Sequence, residues 1–286
     1  MAPQITDWDD LAFVVEHKSP DSDLVQSTSF GFIDDTDTFY HGQIDSPKAQ
    51  ISLEQPMVAL NPVPHDAIFP NWPLAETELR NAPDMLTPNA YIKRPRLELY
   101  SWLKERGLER QIFTSLLGEA QVLEELSQHP HPNLIRYHGC RVVNGHFTGV
   151  VLERHPRDLE AYVERGHKAI DTTRFMAALE SAIQHLHGLG WAHNDLKPSN
   201  ILVSEAGMPI LIDFEGCQKL GTALKYIRGS EEWIEGDIES YNTSEAQHDI
   251  FALGKIREWL ERPLRSSAIL GDSESDFIEG SYFHGA

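Results

Sequence analysis

The stretch HNDLKPSNILV at 193–203 concentrates residues whose types and spacing could do chemistry. Asp195, Lys197 and Asn200 fall in one short loop, and Asp213 follows eighteen residues after Asp195, at the end of the apolar run in ILIDFEG. Phosphoryl transfer needs such a set. One carboxylate orients an attacking hydroxyl and a second binds magnesium. An amide oxygen completes the metal shell, and an ammonium offsets charge on the moving phosphate. A lone loop aspartate is more often a turn or cap residue, but here four groups stand in order.

These side chains need elements to hold them. Ala90-Tyr91-Ile92-Lys93 reads as a short strand stopped near Pro95. Ile112, Leu116, Leu123 and Leu126 recur at the helical period and predict a helix over 109–128. Glu119 lies on that apolar stripe, where a carboxylate requires a cation, and Lys93 can supply it. Leu134–Val143 and Phe147–Leu152 are predicted strands around Asn144-Gly145, a hairpin signal. Phe175, Leu179, Ile183 and Leu186 mark a helix over 172–189. Ile201–Val203 and Pro209–Ile212 form a hairpin around Gly207, and a last helix runs near 244–261. Strands followed by helices predict an α+β fold with a small sheet lobe and a larger helical lobe.

The catalytic-type loop and this order of elements resemble the protein kinases from about residue 90 to 260, a bilobal α+β fold. The wording HND…PSNI with DIFALGKIREWL is most like small kinase-like proteins found in fungi. The resemblance implies that Asp195 is the catalytic base and that Lys197 contacts the transferring phosphate. Asn200 and Asp213 would hold Mg2+. Lys93 would hold the α- and β-phosphates of ATP and pair with Glu119. Leu152 takes the gatekeeper place, and backbone groups of Glu153 and His155 would meet the adenine. Asp249, in HDIFALG, would accept backbone donors of the catalytic loop, and His193 would stack with Leu123, Tyr137 and Phe214.

The chain also departs from that family. Gly31 and Gly42 are the only glycines before Lys93, so no glycine-rich phosphate loop precedes it. Asn194 stands where arginine is usual, Glu215 replaces a glycine after Asp213-Phe214, and Glu235-Gly236-Asp237 occupies the place of Ala-Pro-Glu. A neutral Asn194 cannot clamp a phosphate, which predicts activity without phosphorylation at Thr222, Tyr226 or Ser230. Three functions compete: a Ser/Thr-type ATP-dependent kinase, an ATP-binding or inactive scaffold, and a small-molecule kinase resembling the aminoglycoside and choline phosphotransferases. The full set Lys93, Glu119, Asp195, Asn200 and Asp213 favours the first.

The 286 residues carry 24 Lys+Arg against 44 Asp+Glu, a formal charge of −20. Such a surface repels nucleic acid and anionic lipid. Two cysteines cannot build a disulfide framework, and the start lacks a secretory pattern. The expectation is an intracellular, cytoplasmic or nuclear protein. Residues 1–60 hold nine Asp and two Glu against two Lys and no Arg; they read as an acidic extension, either extra strands or poorly ordered. Six prolines in 61–90 predict a linker over 61–89. The sheet lobe then spans 90–152, a shortened helical lobe 153–265, and a tail 266–286.

Overall fold

The structure, a computed structural model, describes residues 4–19, 22–74, 77–166, 170–224 and 228–261. The tail 266–286 lies outside them. Strands β1 (Phe13–Lys18), β2 (Val25–Ile33), β3 (Phe39–Ile44) and β4 (Asn61–Pro62) make an antiparallel sheet in that order. Alternation splits its faces. Phe30 packs with Ile5, Leu11, Ile51 and Leu60, while Phe39 joins the main core of the molecule. The apolar run Met57–Leu60 is not a strand. It overlaps helix α1 (Glu54–Ala59), which tolerates Pro56 because the proline sits in the first turn.

After helix α2 (His65–Ile68), strands β5 (Ala90–Lys93), β6 (Tyr137–Val143) and β7 (His146–Glu153) form a second antiparallel sheet in the order β5–β7–β6. Between β5 and β6 come helix α3 (Tyr100–Lys104), a 3-10 turn at Glu109–Phe113 and helix α4 (Thr114–Ser127). Asn144 and Gly145 close the β6–β7 hairpin with φ of 50° and 76°. Both are positive, as the tight two-residue turn requires. The proline-rich segment runs along this sheet. Arg80 and Ala82 exchange backbone hydrogen bonds with Cys140 at 2.8 Å each, and Trp72 donates to the Gly145 carbonyl at 2.8 Å. Gly139 permits that approach, since a Cβ there would sit 2.5 Å from the Ala82 nitrogen.

The second lobe follows β8 (Arg157–Asp158) and contains α5 (Leu159–Glu164) and α6 (Thr172–Gly188). Strands β9 (Trp191–Ala192), β10 (Ile201–Val203), β11 (Pro209–Leu211) and β12 (Gln218–Lys219) precede the last helix, α7 (Ala246–Glu261). Asp158 and Asp171 cap α5 and α6 by accepting from Ala161 and Arg174. One core joins both lobes and the outer sheet, with Phe39, Phe147, Leu116, Leu159, Leu179 and Ile256 fully buried. Each such side chain contributes about 1.5–3 kcal/mol by leaving water. Among the described residues no helix is long and apolar enough to cross a membrane.

Candidate active site

Strand alternation turns Tyr91 and Lys93 to one face of β5, and that face forms the roof of the cleft between the lobes. The buried side of α4 carries Glu119, with Leu116, Ala120 and Leu123 around it. Lys93 Nζ lies 2.7 Å from Glu119 Oε2, 2.7 Å from Asp213 Oδ1 and 3.2 Å from Glu215 Oε1. The other Glu119 oxygen accepts from the Phe214 amide at 3.1 Å, which fixes the start of the loop after Asp213. Asp213 sits in the left-handed region at φ 62°, two residues beyond β11, and its side chain is 16% exposed.

One ammonium thus faces three carboxylates in a buried place. Burial alone would lower the Lys93 pKa, but Asp213, Glu119 and Glu215 outweigh it and hold the ammonium well above its ordinary value. Burial would likewise raise Asp213, yet Lys93 keeps that carboxyl below its usual range. Glu119 goes the other way. Burial outweighs Lys93, Asp213 and Glu215 add repulsion, and its carboxyl is pushed up to about 7. Oxygens of Glu119, Asp213 and Glu215 all lie within 4.8 Å of one another. They are hard donors of the kind that suits magnesium.

The second group is built on the 193–200 loop. Asp249, fully buried on the first turn of α7, accepts from the His193 and Asn194 amides at 2.8 Å each and pairs with His187 at 2.8 Å. This pins the loop from beneath. Asn194 adopts φ 63°, a conformation asparagine tolerates. Its side-chain amide donates to the carbonyls of Ala192 and Gly216 and to Ser244 Oγ at 3.0–3.1 Å, so neutral hydrogen bonds fill the arginine's place. Asn200 Nδ2 donates to the Asp195 carbonyl and to Oδ2 at 2.8 and 3.2 Å. Its oxygen is thereby left as the acceptor that a metal needs. His193, fully buried, packs against Phe214 with ring centroids 5.5 Å apart, and Phe214 belongs to the core that contains Leu123 and Tyr137.

Ser230 was not recognised from sequence as part of this group. Its Oγ donates to Asp195 Oδ1 and accepts from Lys197 Nζ, both at 2.9 Å, while Lys197 lies 3.3 Å from Asp195 Oδ2. Substituting Ser230 therefore perturbs both groups directly. A substitution there does more than remove a phosphorylation site, because it also removes these two hydrogen bonds. Tyr226 lies outside the described residues. Nothing in the loop's own sequence announces Ser230, because it arrives from thirty-five residues downstream.

The two groups meet across a cleft walled by Tyr91, Leu152, Leu202 and Ile212, with Lys93, Asn200 and Asp213 at its polar end. Glu153 lines the cleft, but its amide already donates to the Arg136 carbonyl at 2.9 Å. His155 is half-buried beyond the end of β7 and is not part of the cleft wall. Both cysteines are buried and their thiols are pushed up, Cys140 to about 11, so neither is an activated nucleophile.

An ion-paired lysine, a metal-type aspartate and a hydroxyl-holding aspartate, set between a sheet lobe and a helical lobe, are arranged as in the cleft of a protein-kinase-like fold. The sequence pattern of the protein kinase domain matches residues 102–261, more than half of the chain, and the chain belongs to that family. It is 30% identical over 168 residues to the human serine/threonine-protein kinase/endoribonuclease IRE2, which covers 53% of this chain and 18% of that protein. It is 29% identical over 147 residues to the serine/threonine-protein kinase TAO3 of Xenopus laevis (50% and 15%) and 28% identical over 153 residues to PknK of Mycobacterium tuberculosis (51% and 14%). The matched region thus spans less than a fifth of each relative's length.

Proposed function

We propose that the protein transfers the γ-phosphate of ATP to the hydroxyl of a serine or threonine side chain. The observation that carries this reading is the hydroxyl of Ser230, held at 2.9 Å from both Asp195 and Lys197. The pocket between these two groups accepts an aliphatic hydroxyl. A substrate hydroxyl in that position would be oriented by the Asp195 carboxylate, which is placed to take its proton. Lys197 would offset charge on the oxygen and the arriving phosphate. Lys93 would hold the nucleotide's phosphates, with Glu119 fixing its ammonium. Asn200 and Asp213 are the residues that would hold magnesium, whose chemistry there is to neutralise the triphosphate.

A second reading, an ATP-binding or inactive scaffold, is favoured by Glu215. Its carboxylate stands at the cation that would meet the phosphates. Paired substitutions separate the two. Asp213→Ala should weaken magnesium–ATP binding, while Asp195→Ala should keep binding and lose turnover, because Asp195 acts in the transition state. A wild-type protein that binds magnesium–ATP but transfers no phosphate to itself, to casein-like proteins or to amino alcohols would leave the scaffold reading standing.

A further inference from the structure

The nucleotide reading places a base in the apolar end of the cleft, and the further inference concerns what occupies that end. Tyr91 projects from β5 on the same face as Lys93, two residues before it. Its strand partner in register is Leu152. Below, from the other lobe, Leu202 and Ile212 close the space, and Ile135 closes the back. The space among these side chains that admits the centre of a water-sized sphere is only about 30 Å3, enough for a few waters, so the apolar end is narrow with the Tyr91 ring in place. Most of the Tyr91 side chain is out of solvent, and burial pushes its hydroxyl above the usual value. Arg154 lies over its ring at 5.8 Å and donates to the Ala90 carbonyl at 3.3 Å, holding the strand beside it. β5 is the outer strand of its sheet.

We propose that Tyr91 is a gate that fills the base-binding half of the cleft and must swing out before a nucleotide can bind. This rests on the nucleotide reading above and adds a specificity-determining residue to it. When a binding-competent state is a minor fraction of the molecules, apparent affinity falls by that fraction. Removing the ring should therefore restore affinity that the wild type lacks. The phosphate end, with Lys93 and Asp213, keeps its geometry in either position of the ring.

The test is a set of direct binding measurements by calorimetry, with no turnover involved. Tyr91→Ala and Tyr91→Val, the second retaining a good strand former, are expected to bind magnesium–ATP at least tenfold more tightly than wild type. Magnesium-free adenosine should show the same gain. Inorganic tripolyphosphate should show none, and Tyr91→Phe, which keeps the ring, should behave as wild type. Should both small substitutions fail to fold, stopped-flow mixing of the wild type with ATP still decides. A gate predicts an association rate that levels off at high ATP, and a rate that stays linear in ATP overturns it. The proposal is also overturned if Tyr91→Ala binds ATP no better than wild type, or more weakly because the ring was a wall the base packs on. If wild type and all Tyr91 variants bind neither ATP nor adenosine, the nucleotide reading fails and takes the gate with it. If they bind equally, and Asp213→Ala abolishes binding, the gate alone falls.

Discussion

Replacing Glu119 by glutamine removes one of the three charges around Lys93 while keeping an oxygen for the Phe214 amide. In the folded chain the Glu119 carboxyl is lifted from 4.5 to about 7. Between those two values the folded protein holds a proton that the unfolded chain has released, so stability falls as pH rises through that window. Each pH unit is worth about 1.4 kcal/mol, and the whole window carries roughly 3 kcal/mol. Urea unfolding of wild type and Glu119→Gln at several pH values from 5 to 8, in the presence of EDTA, measures it. The wild type should lose stability relative to the variant by about that amount across the range. Magnesium beside Asp213 should draw the Glu119 proton off and shrink the difference. Parallel pH profiles for the two proteins, or a wild type that gains on the variant as pH rises, would refute the picture of three carboxylates competing for one ammonium.

Four other substitutions test contacts elsewhere in the structure. Asp249→Asn leaves one of the catalytic-loop amides facing an NH2 group in a fully buried place; it should cost about 2–3 kcal/mol and lower the melting temperature by roughly 5–10 °C, as scanning calorimetry would show. Ser230→Ala should leave magnesium–ATP binding intact and raise transfer, because it vacates the place between Asp195 and Lys197 that a substrate hydroxyl takes, whereas Thr222→Ala should be silent in the same kinase assay. Asp37, 2% exposed at the β2–β3 tip, accepts from Arg94, Arg141 and Thr148; Asp37→Asn strands two arginines and should destabilise by roughly 3 kcal/mol in urea titration.

Local signals made much of the kinase-like part legible. Asn144-Gly145 allowed the hairpin turn, and the stripe through Leu116 and Leu123 both fixed α4 and placed Glu119 inside, where a lysine partner was required. The loop 193–200 and Asp213 could be read because their residue types are needed in that order. What stayed hidden depends on distant parts of the chain. Ser230 meets Asp195 only when a long segment folds back. Asp37 looked like one more acid in an acidic stretch, since nothing nearby in sequence reports that two arginines wait for it. Tyr91 could have been found, because strand alternation puts it beside Lys93. Its aromatic type reads as an ordinary strand former until the opposite wall is known. Met57–Leu60 is too short for periodicity to separate helix from strand, and the helix is decided by packing on the outer sheet.

The aromatic contacts under that outer sheet bear on how the molecule comes apart. Phe39 meets Tyr100 edge-on at 5.6 Å, and Phe69, Phe113 and Phe147 form a chain at 5.2 and 5.4 Å. These rings come from the acidic extension, the proline-rich segment and the lobe that holds Lys93, so they cross every boundary that composition suggests. Domains separated by a flexible hinge melt independently, whereas a shared aromatic core couples them into one cooperative unit. The acidic stretch therefore behaves as part of the wall behind Lys93. Its amides should exchange with deuterium as slowly as those of β7, and heating should give one transition in which the outer sheet and the lysine strand are lost together.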